Sequence, residues 1–84
     1  MTADDLRQAI VEEIGNIAPE MDASAVPDDA DLREALDLDS MDIFNLVIAL
    51  SQRFAIDIPD ADAPRLTTLG SGADYLRERL AAAA

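Results

Sequence analysis

Three carboxylates and one hydroxyl stand within a six-residue stretch, as Asp37, Asp39, Ser40 and Asp42. A serine becomes a nucleophile when an adjacent base takes its proton. This chain has no histidine and no lysine, so neither a Ser-His nor a Ser-Lys pair can form. It has no cysteine either, which removes a thiol nucleophile, a zinc–thiolate site and disulfides. Serine catalysis by this chain alone is therefore not expected. Two roles remain for Ser40: the cap of a helix, the usual role of such a residue at a helix start, or the acceptor of a group attached by another enzyme. The neighbouring acids lack the glycine and terminal glutamate of an EF-hand loop, so no specific metal site is expected. Weak divalent binding that relieves self-repulsion is the more plausible behaviour.

The elements that must position Ser40 can be read from apolar spacing. Leu6, Ile10, Ile14 and Ile17 recur at steps of four, four and three, one face of a helix. Thr2 or Asp4 can cap its start, and Pro19 ends it. Residues 18–39 then make a long acidic connection, in which Leu32, Ala35 and Leu36 are expected to form a pinning turn of helix. A second long helix is expected from Ser40 to Phe54, a run without Gly or Pro. Ile56 and Ile58 follow in an extended piece closed by Pro59, and residues 60–66 can form a brief helix. Pro64 sits badly in that helix unless near an end. The last helix is expected to start near Ser71, with Ser71 and Asp74 at capping-box spacing. Leu69, Ala73, Leu76 and Leu80 give its buried face, and the Ala81–Ala84 tail is expected to fray. The fold class is all-α: a small four-helix bundle of three main helices plus one short helix, with the long acidic loop between helices one and two. Residues 1–84 are read as a single domain.

The helix over Ser40–Phe54 has two apolar faces. At about 100° per residue, Ile43, Leu46, Val47, Leu50 and Phe54 share an arc about 100° wide, as a core-facing stripe should. Met41, Phe44 and Ile48 lie roughly opposite. A bundle this small cannot easily cover both sides of one helix. The second stripe is therefore either an exposed partner surface or covered by the acidic loop.

Composition narrows the partners. There are 18 acidic residues against six arginines, a formal charge of −12. Nucleic acid is excluded as a partner by phosphate repulsion, and an anionic membrane is disfavoured for the same reason. No apolar run approaches the ~20 residues of a membrane span. Met-Thr-Ala-Asp-Asp lacks the basic and apolar stretches of a secretion signal, so a cytoplasmic protein is the default. Partners should present basic surfaces. Residues 28–42 hold seven carboxylates against Arg33 alone, a local charge of −6.

The run Leu36-Asp37-Leu38-Asp39-Ser40-Met41-Asp42 resembles the Asp-Ser-Leu attachment motif of the acyl carrier proteins. The similarity continues through Leu46-Val47-Ile48-Ala49-Leu50, Phe54, Ile58-Pro59-Asp60, Leu66-Thr67-Thr68-Leu69 and Asp74-Tyr75-Leu76, in order along nearly the whole chain. The resemblance implies a four-helix carrier rather than an enzyme, acting as a monomer. It implies 4′-phosphopantetheine linked covalently to Ser40, with Asp39, Met41 and Asp42 flanking the attachment. An acyl group would ride on the arm's thiol in fatty acid, lipid or polyketide-type biosynthesis. The implied partners are a phosphopantetheinyl transferase and acyl-transferring or condensing enzymes, docking on Met41, Phe44 and Ile48. The local charge adds Asp28, Asp29, Asp31 and Asp37 to that surface. A peptidyl or aminoacyl carrier, or an unmodified acidic adaptor, is the alternative. Three departures stand out: the family's frequent Gly before the serine is replaced by Asp37 and Leu38; Asn45, Ser51, Gln52 and Arg53 stand where acids are common; and Pro64 with the Gly70–Gly72 pair suggests an altered or mobile third helix.

Overall fold

Thr2 and Asp5 fix the first helix by bonding each other's backbone amides, a capping box. From that cap, α1 runs Ala3–Ile17 in the computed structural model, which describes residues 1–83. Leu6, Ile10 and Ile14 are buried on its inner face, with Ala9 beside them. A short 3-10 turn (Ala23–Ala25) and a four-residue helix, α2 (Leu32–Ala35), punctuate the long connection. Leu32 and Leu36 anchor α2 in the core as expected, whereas Ala35 is exposed. The second long helix, α3, spans Ser40–Phe54 and buries Ile43, Leu46, Val47 and Leu50. A 3-10 helix (Asp60–Leu66) leads to α4 (Leu69–Ala83). The described residues form an all-helical bundle in which α1 packs on both α3 and α4.

Three expectations are corrected. The last helix begins two residues before Ser71, because Thr68 supplies the cap: its hydroxyl accepts from the Ser71 amide at 3.1 Å. Leu69, fully buried, anchors that first turn, and Asp74 pairs with Arg77 instead of capping. The helix is continuous through Ala83, where a frayed tail was expected; Ala84 lies outside the described residues. The Gly70–Gly72 pair belongs to α4 rather than to the third helix, and it marks close packing. A Cβ on Gly72 would lie 2.9 Å from Ile10 Cδ1 and 3.3 Å from Leu66 Cδ2. Pro64 does sit inside the segment it was expected to disturb, and that segment adopts 3-10 rather than α geometry.

The acidic connection is tied down away from the second apolar stripe. Leu32 donates its amide to Thr67 O at 2.8 Å, and Gly70 donates to Asp28 O at 3.0 Å. Arg7, on α1, reaches the Asp28 carboxylate and the Val26 carbonyl. Ala23, Val26, Leu32, Leu36 and Leu38 enter the core. The loop thus completes the interior and leaves Met41, Phe44 and Ile48 exposed, at 63%, 47% and 39%. No described helix is long and apolar enough to cross a membrane.

Candidate functional site

The turn before Ser40 depends on Asp37. The Leu36 amide donates to Leu32 O, and the Leu38 amide reaches back five residues to Arg33 O at 3.0 Å. That pairing closes α2 as a Schellman motif, which places its C′ residue in the left-handed region. Asp37 takes that place with φ 53°, a conformation that Asp tolerates better than most L-residues. The glycine missing from this stretch is therefore replaced in its geometric role by an aspartate.

Asp39, not Ser40, caps α3. Its carboxylate accepts from the Asp42 amide at 2.9 Å, and the Asp42 carboxylate accepts from the Asp39 amide at 3.2 Å. Ser40 is consequently the first residue of the helix proper. It is exposed, and its hydroxyl makes no hydrogen bond among the described residues. The capping role that would have explained a serine here is already filled by its neighbour. Ser40 Oγ stands free where helix amides favour an anion.

Beside Ser40 opens a cleft of about 310 Å³, lined by Arg33, Ser40, Ile43, Phe44, Ala63, Pro64 and Thr67. Its walls are mainly apolar, and Arg33 is the single charged residue on them. Arg33 also holds the Asp31 carboxylate below its ordinary range through a side-chain hydrogen bond. Ala63, Pro64 and Thr67 carry no chemical signature in sequence. Their only signal is their position on a segment folded back against α3.

The predicted surface residues divide. Met41, Phe44 and Ile48 run along one exposed stripe that begins beside Ser40, with Asp37 and Asp39 at its head. Asp29 is exposed on the connection. Asp31 is committed to α2, accepting from the Arg33 amide and its guanidinium. Asp28 faces Arg7 and lines a different hollow with Ala3, Asp4, Leu69, Gly70, Ala73 and Asp74. The structure brings only part of the expected acidic surface to Ser40.

Comparison with known proteins gives a consistent likeness. The family described as a phosphopantetheine attachment site matches residues 4–76. An acyl carrier protein of Rubrobacter xylanophilus is 35% identical over 75 residues, covering 86% of this chain and 93% of the relative. The solved structure of an acyl carrier protein from Enterococcus faecalis superimposes with a TM-score of 0.75 at 28% identity, covering 94% of this chain and 99% of the other. The 3-oxo-butyl form of a carrier from the actinorhodin polyketide synthase of Streptomyces coelicolor gives 0.72 at 32% identity, covering 100% and 95%.

Proposed function

Since this chain belongs to the acyl carrier protein family, we propose that Ser40 is where its 4′-phosphopantetheine is attached and that residues 1–84 act as one carrier domain. The chain is a carrier and not a catalyst, and its prosthetic group is covalent. That group supplies the thiol on which an acyl chain is held as a thioester, chemistry that a chain without cysteine otherwise lacks.

The observation that carries the assignment is the unused hydroxyl of Ser40 at the first position of a helix capped by its neighbour. In the attachment reaction Ser40 Oγ gives up its proton to a base of the transferase and forms a new O–P bond. The pyrophosphate bond of coenzyme A breaks, and the nucleotide half leaves. The chain has no histidine or lysine to serve as that base. The residues around Ser40 fit a phosphodiester arm: a helix N-terminus and Arg33 on the cleft wall suit an anion, and the apolar walls suit the methyl and methylene segments of the arm.

The acyl chain belongs to fatty acid, lipid or polyketide-type biosynthesis, and the partners are a phosphopantetheinyl transferase and enzymes that load, extend or remove the acyl group. The exposed Met41–Phe44–Ile48 stripe, headed by Asp37 and Asp39, supplies an apolar strip with an acidic margin for partners with basic rims. Incubation with coenzyme A and a promiscuous phosphopantetheinyl transferase tests the assignment. Intact mass should rise by one phosphopantetheine in the wild type and not in Ser40→Ala. Labelling of another hydroxyl, or none at all, would overturn it.

A further inference from the structure

Arg33 stands apart from the other five arginines by its place on the wall of the cleft that holds Ser40. Arg7 is committed to Asp28 and to two carbonyls of the connection, and Arg53 to Glu12 and Glu13 across α1 and α3. Arg65 binds Glu78 and Arg79 donates to Asp57 O, while Arg77 lies 3.8 Å from Asp74 on its own helix without a hydrogen bond. Arg53, Arg65 and Arg79 each link separate segments. Arg33 pairs with Asp31 two residues away, on the surface, through Nε and Nη2 only. A guanidinium has five N–H donors, so the Nη1 edge of its fork is unused. It is also the one arginine lining the cleft that contains Ser40, and the one cation among residues 28–42.

An arm on Ser40 brings a permanently anionic phosphodiester into a segment already at −6. With the nearby carboxylates acting against it, that anion has one cation on the cleft wall to turn to. On the premise that Ser40 carries the arm, we propose that Arg33 is a positioning residue that holds the phosphodiester through its free edge. It thereby directs the arm along Ile43, Phe44, Ala63 and Pro64 rather than outward over the acidic connection. The exposed Asp31 pair is worth little by itself, so Arg33 can share or exchange that partner at little cost to the fold. Arginine suits the task because its planar fork can bond a carboxylate and a phosphate from different edges.

Loaded and unloaded full-length protein distinguishes this arrangement from a purely structural role. The ³¹P resonance of loaded wild type should be displaced from that of loaded Arg33→Gln, with Arg33→Lys returning it part of the way. Arg77→Gln, on an exposed turn of α4, should leave it in place. The Arg33 Nε–H signal should shift between unloaded and loaded wild type. Urea midpoints of the unloaded variants establish that each is folded. A ³¹P resonance identical in wild type and Arg33→Gln, with an unmoved Nε–H signal, overturns the role of Arg33 while leaving Ser40 as the attachment point. No mass gain at Ser40 overturns the attachment itself.

Discussion

Ser40 shows how one side chain's role depends on its neighbour's. A serine at a helix start is ordinarily read as a cap, and sequence offers no means to choose between Asp39 and Ser40 for that position. The chain enters α3 with Asp39 extended and its carboxylate on the Asp42 amide, so the serine hydroxyl is left over. Backbone strain is equally local. Ala55 closes α3 with φ 55°, and the Ile56 amide reaches Ser51 O at 3.1 Å, a Schellman end in which glycine is the favoured residue. A left-handed alanine costs roughly 1–2 kcal/mol, partly offset in any glycine variant by the freer unfolded chain. Ala55→Gly should therefore raise stability by about 0.5–1 kcal/mol, read as a higher urea midpoint with an unchanged slope. Unchanged or lower stability would show that the turn is relaxed as it stands.

Helices here are positioned by a few close approaches and cross-links. Gly72 lets α4 settle on Ile10 and Leu66, whereas Gly15 in α1 has open space where a Cβ would stand. Gly72→Val should destabilise by about 1–3 kcal/mol through overpacking. Gly15→Ala should stabilise by about 1 kcal/mol through helix propensity. Thermal melts of the two variants moving in the same direction would refute this contrast. Tyr75 joins α4 to the 3-10 helix: its hydroxyl donates to Asp62 at 2.7 Å, with the Arg65 guanidinium 5.3 Å from its ring centre. Burial, reinforced by the Asp62 carboxylate, pushes the phenol up to about 12 from 10.0. Because the folded state resists ionisation, the stability linked to Tyr75 is full below pH 10 and is lost as pH rises towards 12. Tyr75→Phe should cost about 1 kcal/mol at neutral pH and flatten that alkaline decline. A decline of the same steepness in the variant would assign it to other groups.

Across the whole molecule the charge is one-sided. The six ion pairs among the described residues are exposed or only partly buried, where such pairs contribute about 0–1 kcal/mol each, while a net −12 opposes compaction. Salt weakens both, and the excess of like charge decides the sign. Moderate NaCl or millimolar Mg²⁺ should raise the melting temperature, by about 4–8 °C for each 1 kcal/mol of repulsion relieved. A lower melting temperature in salt would mean that the arginine cross-links dominate. Acid has a separate limit. Hydrogen bonds to Thr2, Ser24 and Arg33 hold Asp5, Asp22 and Asp31 below their ordinary 3.8. Their contributions are present above that value and disappear as pH falls through the lowered folded values.

Residue order alone determined the helical class, the span of α3 and its second apolar stripe, because these rest on local periodicity, while the candidate hydroxyl rested on the likeness of its flanking residues to a known family. Tertiary structure decided where the acidic connection lies, and that Ala63, Pro64, Thr67 and Arg33 meet Ser40 around one cleft. It also turned Gly70 and Gly72 from signs of a loosened third helix into packing positions on α4. Each of these depends on contacts between segments far apart in the chain. Spacing along a chain encodes which face a residue takes, but not which distant backbone or side chain comes to meet it.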